Sequence, residues 1–196
     1  MTGVLFASGG RTLVGPLLRS PRVITLMREF ATEPPVEVRV GDALDAADAT
    51  VAVAESCTGG LIGSLLTDVP GSSAYFDRSV VTYSYDAKLT ALGVSRESLD
   101  EHGAVSEPVA REMAAGVRDT AGVDWGVSTT GIAGPEGGTP EKPVGTVYVG
   151  LAHRGEWGSG DSYTRVERFE FDGTRTQIKE QIARRALETL LEAVDA

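Results

Sequence analysis

Ser56 and Lys88 are the residues of this sequence whose types and placement suggest bond-breaking chemistry. Ser56 stands in Glu55-Ser56-Cys57-Thr58-Gly59-Gly60, directly after the apolar run Val51 to Ala54. A serine hydroxyl becomes a nucleophile when a neighbouring base takes its proton. The chain has two histidines, His102 and His153. His102 falls at the expected end of a helix, where a cation offsets the dipole. His153 falls at a strand-to-turn junction, and neither has an evident carboxylate to orient it. Lys88 is the better base. Lysine is scarce here, with only Lys88, Lys142 and Lys179 against fifteen arginines. A guanidinium effectively never gives up its proton, whereas a desolvated ammonium can. The competing readings are an ordinary strand-to-helix turn at Ser56 and a solvated helix lysine at Lys88.

The turn after Ser56 offers more than a hydroxyl. A strand that ends in a polar residue and runs through Gly59-Gly60 into a helix places that residue at a sheet edge where ligands bind. Backbone N–H groups there suit a phosphate or the oxyanion of an acyl-transfer intermediate, and the glycines clear side chains from the approach. Cys57 is a rival nucleophile, but it lacks a histidine partner and reads as a small buried packing residue. One cysteine and two distant histidines give no metal-ligand spacing, and neither GxxxxGK[ST] nor GxGxxG occurs. A second polar cluster, Thr129, Thr130 and the glycines from Gly131 to Gly138, follows another predicted strand and lies in a long loop of the kind that is often functional. A third is Arg175, in the first turn of the last predicted helix. That is the unfavourable end for a cation on dipole grounds, so an anion or Asp172 is its expected partner.

These residues need elements to hold them. Val36, Val40 and Leu44 recur at helical spacing over about 35–47, although "VEVRV" also alternates as a strand would. "ATVAVAES" reads as a buried strand and "GGLIGSLLTDV" as the helix leaving it. "RSVVTYS" is a second strand, rich in β-branched and aromatic residues, and "YDAKLTALGV" a short helix stopped by Gly93. "SRESLDEHG" is another short helical piece. Ser106 is the expected N-cap of a helix to about 121 with Val109, Met113 and Val117 inward. "DWGVSTTG" is a strand, and "VGTVYVGLAH" pairs with "YTRVERFEF" as a hairpin. From Thr174 a helix turns Ile178, Ile182, Leu190 and Leu191 inward. Alternating strands and helices with one hairpin predict an α/β fold, a mixed sheet layered by helices. If the first two strands are neighbours, both helix starts meet at one sheet edge and Lys88 faces Ser56.

The bulk properties set limits. The 196 residues suffice for one domain with a sizeable core. No apolar run approaches the roughly 20 residues of a membrane helix. The formal charge of −10 argues against a nucleic-acid partner. An acidic, lysine-poor chain with a single cysteine fits a reducing, high-salt cytoplasm. Residues 1–34 differ from the rest. Their first 26 residues are basic and aperiodic, and they lack the long apolar core and cleavage site of a secretory signal. They are expected to form a poorly packed extension, with Met27 as an alternative start and residues 35–196 as the folded domain.

"AESCTGG", "YS-x-x-AK", "HGAVSEPVAREMA", "GIAGPEGG" with "EKPVGTVYVG", and a C-terminal "G-x-R", in that order, resemble the C-terminal domain of the competence-damage-inducible CinA proteins, which also occurs alone as nicotinamide-nucleotide amidohydrolases. The resemblance covers about residues 35–193. It implies a three-layer α/β/α sandwich and a Ser/Lys hydrolase that converts nicotinamide mononucleotide to nicotinate mononucleotide and ammonia, with no cofactor and no metal. It assigns Ser56 as nucleophile, Lys88 as general base, and Tyr83 as a pocket residue orienting Lys88 or the substrate ring. Thr58, Gly59, Gly60, Thr130, Gly131 and Gly134 fall in its pocket-lining motifs. Arg175 falls on an arginine often found in "GDR", here "GTR". The expected partner is a small pyridine mononucleotide, with a homodimer as the expected assembly. A non-catalytic nucleotide-binding module and an amidase of another small carboxamide are the alternatives.

Overall fold

The structure, a computed structural model, describes residues 29–196. Helix α1 spans Val36–Ala46 and buries Val36, Val40 and Leu44, so the helical period prevails over the alternation of "VEVRV". Strand β1, Val51–Glu55, is buried throughout. It leads through the Ser56 turn into α2, Leu61–Thr67. A 3-10 turn at Ser72–Ala74 precedes β2, Phe76–Val81. Helices α3, Tyr85–Leu92, α4, Arg96–His102, and α5, Glu107–Ala121, follow. The chain then forms β3, Trp125–Gly131, β4, Thr146–His153, β5, Tyr163–Glu170, and the long α6, Arg175–Val194.

The five strands make one mixed sheet in the order β2-β1-β3-β4-β5. β1 runs parallel to β2 and β3, and β4 is antiparallel to β3 and β5. The two faces of β1 show how the layers form. Side chains alternate across a strand, so Val51 and Val53 join a core with Leu44 of α1, Ile62 of α2 and Ile178, Ile182 and Leu187 of α6. Ala52 and Ala54 join a second core with Leu92, Leu99, Val109, Met113 and Val117 of α3, α4 and α5. The sheet is therefore sandwiched between α1, α2, α6 and α3, α4, α5, which is the three-layer α/β/α arrangement. Gly150 lets α5 settle closely on the sheet. A methyl group there would lie 2.6 Å from the Ala110 carbonyl, which instead accepts a 2.7 Å bond from the Ser128 hydroxyl.

Helix starts follow local chemistry. Ser84 accepts from the Ala87 N–H, Ser95 from the Ser98 N–H, and Thr174 forms a capping box with Gln177. Ser106 occupies the N-cap position of α5 as expected, but its hydroxyl does not cap the helix. It donates to the Gly103 carbonyl at 2.8 Å. The second strand also stops earlier than its composition suggests. β2 ends at Val81; the Thr82 N–H still donates to the Glu55 carbonyl at 2.8 Å, and from the Thr82 carbonyl onward the chain turns out of the ladder into α3.

Most of the expected N-terminal extension lies outside the described residues. From Glu29 onward the chain is tied down, since the Glu29 and Phe30 N–H groups donate to the Glu180 carboxylate at 3.3 and 3.2 Å. Glu180 also accepts from Arg184 at 2.9 Å, and Arg184 reaches Glu37 of α1 at 3.0 Å. This buried network pins α1 to α6. Breaking one partner of such a network costs roughly 3–5 kcal/mol. Among the described residues, no helix is long and apolar enough to cross a membrane.

Candidate active site

Side-chain alternation along β1 separates Glu55 from Ser56. Glu55 continues the Val51–Val53 face, towards α2. Ser56 follows on the Ala52–Ala54 face, towards α3. The ladder extends one step past the strand, because the Ser56 N–H donates to the Thr129 carbonyl at 3.0 Å. Ser56 is therefore held by the sheet itself, at the C-terminal edge of β1.

β2 lies next to β1, so α3 begins at the same edge and delivers Lys88. The Lys88 Nζ stands 3.0 Å from Ser56 Oγ and donates to the Thr82 carbonyl at 2.6 Å. Lys88 is fully buried and Ser56 is 8% exposed. The early end of β2 matters here, because the Thr82 carbonyl leaves the ladder and becomes the anchor for the ammonium. Loss of water around the charge holds the Lys88 pKa down at about 8, from an ordinary 10.5. A lysine that loses its proton near pH 8 is available as a neutral amine to receive the serine proton, so the pair has the geometry and the basicity for nucleophilic attack.

Cys57 behaves in the opposite way. Burial is the largest influence on its thiol and pushes the pKa up to about 12. At neutral pH only about one thiol in 10⁵ is ionised, so Cys57 packs rather than reacts. His153 is excluded by position. It pairs with Trp125 at the other end of β3, and the two rings meet tilted at 34° with centroids 4.3 Å apart. His102 ends α4, half-exposed, and its nearest acidic partner is Glu101 at 3.8 Å.

Glu55, which the sequence reading left without a role, organises the turn. Its fully buried carboxylate accepts from the N–H groups of Gly60, Ile62 and Gly63 at 2.8, 3.2 and 2.9 Å, and from the Ser79 hydroxyl at 2.7 Å. Helix α2 starts at Gly60, which has no capping side chain. Glu55 supplies the cap from the preceding strand, placing a negative charge at the helix N-terminus. Gly63 keeps the contact possible, since a methyl group there would lie 2.6 Å from Ser79 Cβ. Gly59 and Gly60 both take positive φ, +65° and +93°, which a side chain would resist. With the Ser56 and Gly60 N–H groups engaged, Gly59 presents the open backbone of the turn.

The other site residues sort by what they touch. The Thr58 hydroxyl is buried against the Thr129 hydroxyl at 2.8 Å and stitches the turn to β3. The Thr130 hydroxyl is buried and donates to the Ala104 carbonyl at 2.6 Å, fixing the α4–α5 connection. A methyl group on Gly131 would meet the Thr146 carbonyl at 2.6 Å, so this glycine serves the β3–β4 crossing. The Gly134 carbonyl accepts from the Arg175 guanidinium, which also donates to the Tyr83 hydroxyl at 3.4 Å. Arg175 therefore gathers the long loop, the β2–α3 turn and the start of α6, instead of pairing with Asp172. Tyr83 is 65% exposed and meets Arg175, while Lys88 is oriented by the Thr82 carbonyl. Lys142 binds the His102 and Val105 carbonyls at 3.1 and 2.6 Å and holds the same loop against the α4–α5 turn. Thr82 and Glu55 act through a backbone carbonyl and a tertiary cap, and no sequence motif signals either role.

The fold and site define a class: a three-layer α/β protein with a buried serine–lysine pair at the C-terminal edge of its parallel strands. The CinA C-terminal domain family model matches residues 33–194, and the chain belongs to that family. Among similar chains are CinA-like proteins of Salinibacter ruber, 56% identical over 153 residues, and Chlorobium limicola, 53% identical over 152 residues. Each alignment covers 78% of this chain and 35% of the relative. The chain thus spans about a third of the length of these curated relatives. A solved structure of a competence/damage-inducible protein from Agrobacterium tumefaciens superposes with a TM-score of 0.76 at 38% identity, covering 87% of this chain and 96% of the other. A CinA superfamily protein from Klebsiella pneumoniae superposes with a TM-score of 0.75 at 36% identity, covering 82% and 96%.

Proposed function

We propose that this chain is a Ser/Lys amidohydrolase that converts the carboxamide of nicotinamide mononucleotide to a carboxylate and releases ammonia. The observation that carries this reading is the 3.0 Å contact between Ser56 Oγ and a Lys88 amine that is buried and deprotonates near pH 8. The nucleotide comes from the resemblance to the amidohydrolases of the CinA C-terminal family. Ser56 Oγ attacks the carboxamide carbon while the neutral Lys88 amine takes its proton. The negative charge that develops on the carbonyl oxygen meets N–H groups of the Cys57–Gly59 turn, since the Ser56 N–H is committed to Thr129. The resulting Lys88 ammonium returns its proton to the amide nitrogen, the C–N bond breaks and ammonia leaves. Water then attacks the acyl ester with Lys88 again as base, and Ser56 is restored with the carboxylate product.

No metal enters these steps. The reducing cytoplasm expected from the single cysteine is the compartment in which such a mononucleotide would be met. Incubation with nicotinamide mononucleotide tests the reading: ammonia and nicotinate mononucleotide form in equal amounts with the native chain, and neither forms with Ser56→Ala.

A further inference from the structure

Strand β5 forms one edge of the sheet, so only one of its sides is paired. The ladder decides which backbone groups are left over. Opposite residues of an antiparallel pair exchange both backbone bonds or neither, in alternation. The Phe171 N–H donates to the Gly145 carbonyl, so the odd-numbered residues of β5 bond β4. The N–H and C=O groups of Thr164, Val166, Arg168 and Glu170 point to the open side. Among the described residues, one side chain reaches them: the Arg111 guanidinium donates to the Thr164 carbonyl. An eight-residue edge with a row of free donors and acceptors is a template for another strand.

The side chains of this edge complement themselves. Arg165, Glu167 and Phe169 lie on the α6 face. Arg165 reaches the Thr189 carbonyl at 3.4 Å, Glu167 stands 3.9 Å from Arg185, and the Arg185 guanidinium lies 4.9 Å over the Phe169 ring. Thr164, Val166 and Arg168 therefore lie on the α5 face. Two copies of one strand paired antiparallel are related by a two-fold axis normal to the sheet. Opposite residues must share a face, so the axis falls at a residue and not between two. An axis at Arg165 or Arg168 sets two arginines against each other, and one at Glu167 sets two glutamates. An axis at Val166 sets valine on valine and Arg165 opposite the partner's Glu167, once on each side. Thr164 then faces the partner's Arg168, and Tyr163 the partner's Phe169. Opposite charges directly across a ladder attract and like charges repel, so residues 165–168 favour this register over its neighbours. Val166 also points its N–H and C=O outward, which lets it exchange both bonds with its own copy.

We propose that β5 pairs with β5 of a second copy of this chain about a two-fold axis at Val166, joining the two sheets into one. This pairing does not depend on the chemistry at Ser56. It also gives a place to Trp157, the most exposed large apolar side chain among the described residues, in the loop between β4 and β5. Antiparallel pairing lays that loop against the end of the partner's β5, where the chain leads into α6. Because β5 runs parallel to β1, this is the same sheet edge that carries Ser56. Each copy thus brings its Trp157 loop to the site edge of the other.

Sedimentation velocity of the full chain from about 1 to 100 μM tests the pairing. The wild type runs as a dimer at the upper end. Arg165→Glu sets glutamates against each other on both sides of the axis, and Glu167→Arg does the same with arginines. Each raises the dimer dissociation constant roughly 10- to 100-fold. Neither side chain is buried, and circular dichroism checks that both variants fold. The double variant Arg165→Glu/Glu167→Arg restores the ion pairs and the dimer. Mixing the two single variants is the sharpest readout, because an acidic strand then meets a basic one and a mixed dimer forms where each variant alone is monomeric. A wild type that stays monomeric at the highest concentration overturns the pairing, as does an assembly that neither charge reversal weakens. A double variant that stays monomeric, or a mixture that forms no dimer, overturns it equally.

Discussion

Lys88 and Lys179 approach the Ser56 turn from opposite layers of the sandwich, and the same side chain meets two different environments. Lys88 comes from α3, is fully buried and has its pKa held at about 8 by loss of water. Its partners are a hydroxyl and a carbonyl, which position an amine without supplying a counter-charge. Lys179 comes from α6, is half-buried beside a solvent-reached cavity and keeps company with a guanidinium. One environment suits a lysine to lose its proton, and the other suits it to keep its charge. Arginine could replace only the second, because a guanidinium supplies charge but effectively never accepts the serine proton. A larger cavity, about 810 Å³, lies around Arg154, Trp157 and Ser162 at the β4–β5 hairpin. It holds no nucleophile paired with a base, so the chemistry of the lining, more than its size, marks the site.

The sharpest way to break the contrast is to exchange the two lysines for arginine separately. Lys88→Arg lowers kcat by at least about 10³-fold, as do Lys88→Ala and Ser56→Ala, with folding checked by circular dichroism. Retained activity in Lys88→Arg removes the proton-transfer role. Lys179→Arg, measured in the same assay, stays close to the wild type on the mononucleotide.

Glu55→Gln comes next. The amide puts an NH₂ among donors that need an acceptor, which costs roughly 1–3 kcal/mol and loosens the turn behind Ser56. Steady-state kinetics should show kcat falling about 10- to 100-fold with KM changed less. An equal loss in stability with kcat intact would make Glu55 a purely structural cap.

Titration sharpens the contrast further. The Ser/Lys proposal predicts that activity rises with pH through about 8, as Lys88 passes into its neutral, basic form. Stability follows the same group with a definite sign. The folded pKa is below the unfolded 10.5, so the unfolded chain binds more protons between pH 8 and 10.5, and stability rises with pH across that window. The penalty is full below pH 8, and its relief amounts to about 3 kcal/mol. Denaturant melts of wild type and Lys88→Met at pH 7.5 and 10 isolate it, since the variant lacks the term. The smallest effect belongs to Cys57→Ala. It costs about 1 kcal/mol of packing or less and leaves turnover in place, as ammonia assays should record.

Much of this architecture was legible in the sequence because each element carries its own signal. Alternation in β1, the helical spacing of Val109, Met113 and Val117, and the Thr174 cap all act locally. Ser56 and Lys88 were legible for the same reason, one at a strand end and the other on the next helix, with lysine scarcity drawing attention to the second. What stayed hidden depends on tertiary approach. Glu55 caps a helix across a turn, Thr82 contributes only a carbonyl, and Arg175 meets Tyr83 across 92 residues. Lys179 looks like any helix lysine until α6 packs beside Gly59. Thr58 and Thr130 show the converse, since the motifs that contain them line the site while their hydroxyls face inward to brace it.

Ammonia release from nicotinamide mononucleotide, followed from pH 6 to 10 for the wild type, Ser56→Ala and Lys88→Arg, tests the central claim most directly. The Ser/Lys account predicts a wild-type kcat/KM that climbs to a plateau above about pH 8 and baseline rates for both variants. Undiminished turnover in either variant would contradict it, as would a wild type that releases no ammonia at any pH.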